Sequence, residues 1–228
     1  MSLAVGEAIQ EGVERTLARN GLLFAAAFFL LNLVTAFMGM RGSTPAQAAT
    51  GAPLAAVPGN AVTAAVIGVV MSLASLAISI AALRVFVTDE TEAVPDAAWK
   101  EDIGSALLHT VVGGVIFGAV VAVGFLLFVV PGVYLMLSLF FWTLYVAVED
   151  ESFYEAFQST WELTKGHKWQ LLALIIGIVA VNIVLGLVGM ATSFVFPRIA
   201  GLLVMQALSA IGGVFALAVQ ARAYTQLA

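Results

Sequence analysis

Two acidic clusters are the groups of this sequence best suited to binding a metal ion. They comprise Asp89, Glu90 and Glu92, and Glu149, Asp150 and Glu151. Carboxylate oxygens are the ligands that Ca²⁺ and Mg²⁺ prefer. Runs of charge more commonly form a solvated surface, however, and we expect both clusters to keep the ends of apolar helices in water. Metal-dependent chemistry here, as in a membrane-lipid enzyme, is the least favoured of three functional hypotheses.

The sequence lacks the common motifs of hydrolases, metalloenzymes and nucleotide-binding proteins. His109 and His167 are its two histidines, and no H-E-x-x-H, P-loop or G-x-S-x-G element occurs. There is no cysteine, which excludes disulfides and thiolate chemistry. We therefore expect a non-enzymatic protein without a cofactor or bound metal.

Small and hydroxyl-bearing residues recur at helical spacing within apolar segments. One face comprises Gly68, Ser72, Ser75 and Ser79. Two further pairs are Gly114 with Gly118, and Ser209 with Gly213. Such faces let membrane helices pack closely, which is the interpretation we prefer. Alternatively, the serine face lines a path for a neutral or lipid-like solute, together with Asn32, Asn182 and Gln206.

The elements that must position these residues are long and apolar. The chain is 62% hydrophobic and 10% charged, whereas a soluble domain carries about 25% charged residues. Residues 20–40, 103–148, 169–197 and 199–221 are uncharged, and a transmembrane helix needs about 20 apolar residues. The sequence predicts an all-α, polytopic membrane protein with six transmembrane helices. Their expected bounds are 21–40, 61–83, 106–130, 132–148, 170–194 and 199–219.

The longest uncharged segment must contain two crossings. Pro131 and Gly132 divide it, because proline lacks an amide donor and glycine accepts turn dihedrals. We expect a tight turn there, followed by one short, continuous helix. The predicted crossings contain no Asp, Glu, Lys or Arg, which argues against ion-coupled transport.

Basic residues predict the orientation. With six crossings, one side holds Arg15, Arg19, Arg84, Lys100, Lys165, Lys168 and Arg222. The other side holds Arg41 and Arg198. We predict a protein of the plasma membrane. The positive-inside rule then places both of its termini in the cytoplasm. All acidic residues fall on the same side, which disfavours nucleic acid as a partner.

Two of the predicted cytoplasmic connections share a repeated sequence. We call each of them an exit, because it begins where the chain leaves a span. Residues 83–90 and 144–151 share the order Leu-x-Val-x-Val-x-Asp-Glu. Three segments carry an apolar stripe at intervals of four: Val5, Ile9, Val13 and Leu17; Trp99, Ile103 and Leu107; and Phe153, Phe157 and Trp161. We predict one integral membrane domain, residues 1–228, of three helical hairpins, each preceded by an amphipathic interfacial helix. Residues 1–20 form the first such helix, 41–60 an external loop, and 88–105 and 149–169 the cytoplasmic interfacial segments.

The segment 149–169 has the clearest helix boundaries. Ser152 and Glu155 fit a capping box, and Gly166 fits a left-handed helix stop. Residues 131–135, P-G-V-Y-L, precede this segment.

These residues together resemble a group of prokaryotic membrane proteins. The matching positions are Pro131, Gly132, Tyr134, Ser152, Glu155, Ser159, Leu163, Gly166 and Trp169. The group includes the membrane domain of some glycerophosphodiester phosphodiesterases and related uncharacterised inner-membrane proteins. Here the leucine lies four residues after Ser159 rather than three, and Gln158 replaces a common basic residue. The resemblance implies a multi-pass helical domain. It does not imply phosphodiesterase activity, which belongs to a separate soluble barrel.

The favoured hypothesis is therefore a membrane protein that packs with lipid, with itself as a homo-oligomer, or with another membrane protein. A facilitator or channel for a neutral or lipid-like solute is the alternative.

Overall fold

The computed structural model describes residues 3–42, 61–88, 90–100 and 102–228, without the side chains of 37–42, 61–65 and 100. This part of the chain is almost entirely helical and contains no strand. Its helices are α1 (Val5–Leu17), α2 (Arg19–Gly42), α3 (Ala61–Val87), α4 (Ala97–Lys100), α5 (Ile103–Leu127), α6 (Val129–Ser138), α7 (Trp142–Val148), α8 (Phe153–Leu163), α9 (Lys168–Val195) and α10 (Arg198–Leu227). Most of the predicted external loop 41–60 lies outside the described residues; residues 41 and 42 end α2.

Six of these elements are long and apolar enough to cross a membrane, which confirms the predicted all-α class and the number of candidate spans. They are α2, α3, α5, the α6–α7 pair, α9 and α10. α10 lies at the centre of the bundle, where it packs against α1, α2, α3 and α9. Consecutive spans also pack together: α2 with α3, α5 with α6, and α9 with α10. Fully buried side chains include Phe86, Phe141, Leu144, Leu171 and Leu174.

α10 is longer than predicted. It continues beyond residue 219 to Leu227, because its polar end makes contacts within the protein. Arg222 pairs with Glu11 of α1, and the Tyr224 hydroxyl donates to Glu149 Oε1 at 3.1 Å. These contacts give partners to Arg222 and Tyr224, whose polarity had suggested that the helix ends before them.

The turn between the third and fourth spans lies earlier than predicted. Phe128 is extended, with φ −165°, and α6 begins at Val129. Pro131 occupies the first turn of α6, where a missing amide hydrogen costs no helical bond. Gly132 was expected to provide turn dihedrals but is helical, and its role is close packing. A Cβ added at Gly132 would lie 2.5 Å from Phe125 Cγ.

The fourth span is not the single short helix that we predicted. It extends from Val129 to Val148 and is interrupted after Ser138 by a turn that ends before Trp142. Phe140 N bonds Leu137 O at 3.4 Å, a tighter pattern than the α-helical one. Non-helical backbone at membrane depth must find partners within the protein, and two later segments supply them here.

α1 presents two different faces. Its small residues Ala8, Gly12 and Thr16 are buried, and a Cβ at Gly12 would collide with Val219 of α10. Val13 and Leu17, from the predicted apolar stripe, are 42% and 63% exposed. The small residues therefore form the packing face of α1, and part of its apolar stripe faces outward.

The predicted amphipathic helix around Trp99 is wrong in its extent. α4 has only four residues, Ala97–Lys100, and Asp102 adopts a left-handed conformation with φ 39° before α5 begins at Ile103. Trp99 therefore lies on a different helix from Ile103 and Leu107. In contrast, α8 is an 11-residue helix that carries Phe153, Phe157 and Trp161 and packs against α5 and α7.

Candidate functional site

A groove between α3 and α5 opens to the side of the bundle. It encloses about 670 Å³. Its walls are formed by Gly68, Val69, Ser72, Leu73 and Leu76 of α3, and by Thr110, Val111, Gly114 and Val115 of α5. The Ser72 hydroxyl donates to the Gly68 carbonyl of its own helix at 2.8 Å. The small side chains of Gly68, Ser72 and Gly114 leave room for the groove. Because the Ser72 hydroxyl is bonded within its own helix, the surface of the groove is largely apolar.

A second, partly open cavity adjoins this groove, and we call it the inner cavity. It encloses about 330 Å³, and it shares Leu76 and Thr110 with the groove. Its apolar wall includes Ile80, Phe117 and Trp142. Its polar residues are Ser79, Thr110, Thr143 and Gln220. None of the described residues that line the two spaces is charged.

The break in the fourth span places polar backbone next to this inner cavity. Gln220 Nε2 donates to the Phe140 carbonyl at 2.6 Å and lies 3.4 Å from Thr143 Oγ1. Because a carbonyl oxygen only accepts, the amide nitrogen must face Phe140, and Gln220 Oε1 points away from this contact. On the other side of the break, Thr164 Oγ1 donates to the Ser138 carbonyl at 3.2 Å.

Thr110 is the polar residue at the junction of the groove and the cavity. Its side chain is 6% exposed, and its hydroxyl oxygen has no hydrogen-bond partner among the described residues. Buried hydroxyl groups without a partner are uncommon in native proteins, and each one calls for an explanation. Thr110 therefore marks a position where a partner from outside the described chain would be stabilising.

The structure divides the predicted serine face. Gly68 and Ser72 line the groove and Ser79 lines the inner cavity, whereas Ser75 lines neither space. Ser75 instead provides the carbonyl that accepts the Ser79 hydroxyl, at 2.9 Å.

The additional residues of the predicted polar path do not join the cavity. Asn32, Asn182 and Gln206 are absent from the lining of both spaces. Asn182 donates to the Ile178 carbonyl at 3.0 Å, and it packs against Gly212, where a Cβ would lie 2.3 Å from Asn182 Oδ1.

Close helix packing occurs beside the predicted small-residue pairs rather than at them. A Cβ at Gly113 would lie 2.6 Å from the Trp142 ring, whereas Gly118 and Gly213 have open space around them. Gly118, Ser209 and Gly213 are exposed on the bundle. Gly114 lines the groove, and a Cβ there would meet only Trp142, at 3.9 Å. A one-residue shift changes the face of a helix, so close packing within the described bundle involves the neighbouring residue Gly113, and packing at the predicted pairs stays a prediction.

Several residues of the family-like motif have local structural roles. Ser152 and Glu155 form a complete capping box at the start of α8. These hydrogen bonds, from the side chain and then the backbone of Ser152, lower the pKa of Glu155. Gly166 has φ 83°, the left-handed conformation that follows a helix. The Ser159 hydroxyl donates to Glu151 Oε1 at 3.0 Å.

Tyr134 of the motif takes part in a longer-range contact. Lys168 Nζ lies 2.6 Å from Ser138 Oγ, 3.2 Å from the centre of the Tyr134 ring and 4.9 Å from that of Trp161. Aromatic faces attract cations in this geometry. The amine predicted for the membrane interface therefore reaches the break in the fourth span. Leu163 packs against the core, and Trp169 is 84% exposed.

The described members of the acidic clusters do not converge on a metal site. No group of three or more metal-binding side chains occurs among the described residues, and Asp89 lies outside them. Asp150 pairs with Arg84 at 3.0 Å, while Glu149 and Glu151 accept from Tyr224 and Ser159. The Glu90 carboxylate accepts the backbone N–H groups of Glu92 and Ala93, which lowers its pKa.

The sequence patterns did not identify two polar residues of the inner cavity. Gln220 lies one residue beyond the predicted end of the last span, and Thr110 follows His109 in the predicted third span. Thr110 is four residues before Gly114, so extending that small-residue face by one turn would have found it. No local signal pairs Gln220 with Phe140, because the pair is 80 residues apart in sequence.

A comparison with known families finds a match over residues 3–227 to a family described as "Domain of unknown function (DUF7847)". No curated protein and no solved structure matches the chain. The resemblance to the membrane domain of glycerophosphodiester phosphodiesterases therefore stays a prediction. Because the family match covers nearly the whole chain, this protein belongs to the family Domain of unknown function (DUF7847).

Proposed function

We propose that this protein is a non-enzymatic, multi-pass integral membrane protein that binds a lipid-like molecule between α3 and α5. The observation that carries the proposal is the lateral groove, which has no charged residue in its described lining and adjoins a second cavity. In this arrangement the six spans form three hairpins in the plasma membrane, and both termini are cytoplasmic.

The outer surface of the bundle supports membrane embedding. Large apolar side chains on the spans are widely exposed, including Leu126 at 84%, Phe194 at 83% and Val195 at 77%. Contiguous apolar surface of this kind is rare on soluble monomers and is the surface that lipid chains cover. The charged residues of the described chain lie near the ends of the spans, which suits contact with water or headgroups.

The chemistry of the groove supports a lipid-like ligand. Ligand sites are concave and mainly apolar, with a few polar groups that orient the ligand. The groove has this composition, and it opens sideways, where lipid chains surround an embedded bundle. A water-soluble or charged ligand would gain little here, because no charged side chain is available among the described lining residues to pair with it.

Native mass spectrometry of the detergent-purified protein tests this proposal. We expect the wild-type protein to retain lipid and Gly114→Leu to lose it, because the new side chain projects into the groove. Gly118→Leu is the matched control, since Gly118 lies one turn further on α5 and has open space outside the groove. Equal lipid retention by both variants, or none by the wild type, would contradict the proposal.

The position of the groove beside the inner cavity also favours a second function, a facilitator for a neutral or lipid-like solute. Leu76 and Thr110 line both spaces. A flux assay in liposomes should then show slower transfer for Gly114→Leu than for Gly118→Leu. Identical flux through the two variants would remove this alternative.

The proposed orientation has its own test. The chain has no cysteine, so an introduced cysteine is a unique label. In intact cells an impermeant thiol reagent should modify Arg198→Cys but not Glu92→Cys. The opposite pattern would invert the topology.

A further inference from the structure

We propose that the molecule bound between α3 and α5 is a neutral lipid alcohol, whose hydroxyl group enters the inner cavity and bonds Thr110 and Gln220. This inference rests on the proposed lipid-binding function and specifies the polar end of the ligand. Its apolar chain would then occupy the lateral groove.

The first observation is the unpartnered hydroxyl of Thr110. This side chain is more than nine-tenths buried and lines both spaces, yet its oxygen has no partner among the described residues. A threonine in a helix often bonds a carbonyl of its preceding turn, as Ser72 and Ser79 do. The Thr110 hydroxyl does not, so its hydrogen-bonding capacity is unused at the junction of the two spaces.

The second observation is the free acceptor of Gln220. Its amide nitrogen is engaged by the Phe140 carbonyl and by Thr143, and no donor of the described residues reaches Oε1. The cavity therefore offers an acceptor at Gln220 and a group at Thr110 that can both donate and accept. A ligand hydroxyl has the same dual capacity and satisfies both.

No charged residue occurs in the described lining of the cavity, which favours a lipid with a neutral polar group over one with a charged group. A fatty acid would place a carboxylate in the cavity and an amine would place an ammonium group there. Each ion would lack an opposite charge among the described lining residues, and burying an unpaired ion is strongly unfavourable. An uncharged alcohol avoids this cost.

The size of the cavity agrees with an occupant. A water molecule occupies about 30 Å³ in the liquid. The inner cavity, at about 330 Å³, therefore has room for the polar end of a lipid. It shares Leu76 and Thr110 with the groove, so a molecule that passes between these two side chains would place a polar end inside and an apolar chain outside.

Photoaffinity labelling of the detergent-purified full chain tests the inference. The probes are hexadecanol and hexadecanoic acid that carry the same diazirine on the chain, and intact-protein mass spectrometry measures the labelling. We expect the alcohol probe to label the wild type more strongly than the acid probe, and unlabelled hexadecanol to compete.

Thr110→Val is the decisive variant, because valine keeps the shape of threonine and removes the hydroxyl. Loss of one hydrogen bond should lower the apparent affinity for hexadecanol about fivefold. The melting temperature should stay the same or rise, because this hydroxyl has no partner within the described chain. Gln220 is a less direct target, since its amide also bonds the Phe140 carbonyl.

The outcomes separate this inference from the proposed function. If both probes label equally and Thr110→Val has no effect, while Gly114→Leu abolishes labelling, the groove binds lipid and the alcohol assignment is overturned. If Gly114→Leu leaves labelling at the level of Gly118→Leu, both proposals fail. A large fall in the melting temperature of Thr110→Val would also overturn the inference, because the hydroxyl would then have a partner in the fold.

Discussion

The two exits, residues 83–107 and 144–169, begin with the same pattern and continue differently. Leu83 and Val85 are as deeply buried as their equivalents Leu144 and Val146. Beyond them, the first exit forms the single turn α4, whereas the second forms the 11-residue helix α8. The shared residues are therefore buried equally in both exits, but their burial does not determine the structure of the residues that follow them.

Long-range contacts hold the first exit. The Glu90 carbonyl accepts from Arg15 Nη1 at 2.9 Å and from Asn20 Nδ2 at 2.7 Å. Both donors belong to the junction of α1 and α2, and Asn20 is fully buried. The Glu90 carbonyl of this exit is thus satisfied by the junction of α1 and α2 rather than by a helix of the exit.

Local contacts hold the second exit. The capping box of Ser152 and Glu155 starts α8, and Ser159 bonds back to Glu151. The two exits also contact each other, because Arg84 bonds the Ala147 carbonyl and the Asp150 carboxylate. A repeated exit can therefore be stabilised either by its own helix or by contacts with the rest of the bundle.

Removing the link between the exits should have the largest effect. We expect Arg84→Met to lower the free energy of unfolding by about 2 kcal/mol, because hydrogen bonds to charged groups contribute about 1.5–3 kcal/mol and the Arg84 side chain is only 11% exposed. Thermal unfolding in detergent measures this. Lys165→Met is the control: its ion pair with Glu162 is exposed and should contribute less than about 0.5 kcal/mol. Equal effects would mean that the exits are not coupled through Arg84.

Removing the cap of α8 should make the second exit resemble the first. Ser152→Ala is expected to cost about 1 kcal/mol and to speed hydrogen exchange in the first turn of α8. Glu162→Ala, at the opposite end of the same helix, where the side chain is 77% exposed, should leave exchange in that turn unchanged. Unaltered exchange in Ser152→Ala would show that packing, rather than the cap, maintains α8.

Acid should weaken both exits slightly. Hydrogen bonds lower the pKa of Glu155 and of Glu90 in the folded state. Each carboxylate therefore stabilises the fold above its unfolded pKa, about 4.3, and this contribution disappears as the pH falls through the lower folded value. Hydrogen exchange of α8 should accelerate over that range in the wild type and less so in Glu155→Gln, which keeps an acceptor but does not titrate. An NMR titration that returned an ordinary pKa for Glu155 would contradict this prediction.

Local rules predicted much of the fold. The six apolar spans, the capping box and the left-handed Gly166 all follow from patterns within about 20 residues, which is the range over which span length, caps and turns are decided. The prediction failed for α4, where the apolar spacing of Trp99, Ile103 and Leu107 suggested one helix. The left-handed backbone of Asp102 interrupts that helix, and the spacing of apolar residues gives no sign of such a break.

The candidate site was only half predicted, for a related reason. The small face from Gly68 to Ser79 marked the α3 wall of the groove and cavity, and Gly114 marked the α5 wall. The outward position of Gly118 and Gly213 could not be read from spacing, since the same four-residue interval fits a packed face and an exposed one.

The amino-acid sequence alone determined an all-helical chain with six spans, because hydropathy, length and helix caps act over one or two turns or one membrane thickness. Only the tertiary structure decided the break in the fourth span, the position of the Lys168 amine and the inner cavity. These features depend on partners such as Ser138 and Lys168, or Phe140 and Gln220, which are 30 and 80 residues apart. Packing brings such groups together, and a buried carbonyl or hydroxyl then takes whichever partner the fold places within reach.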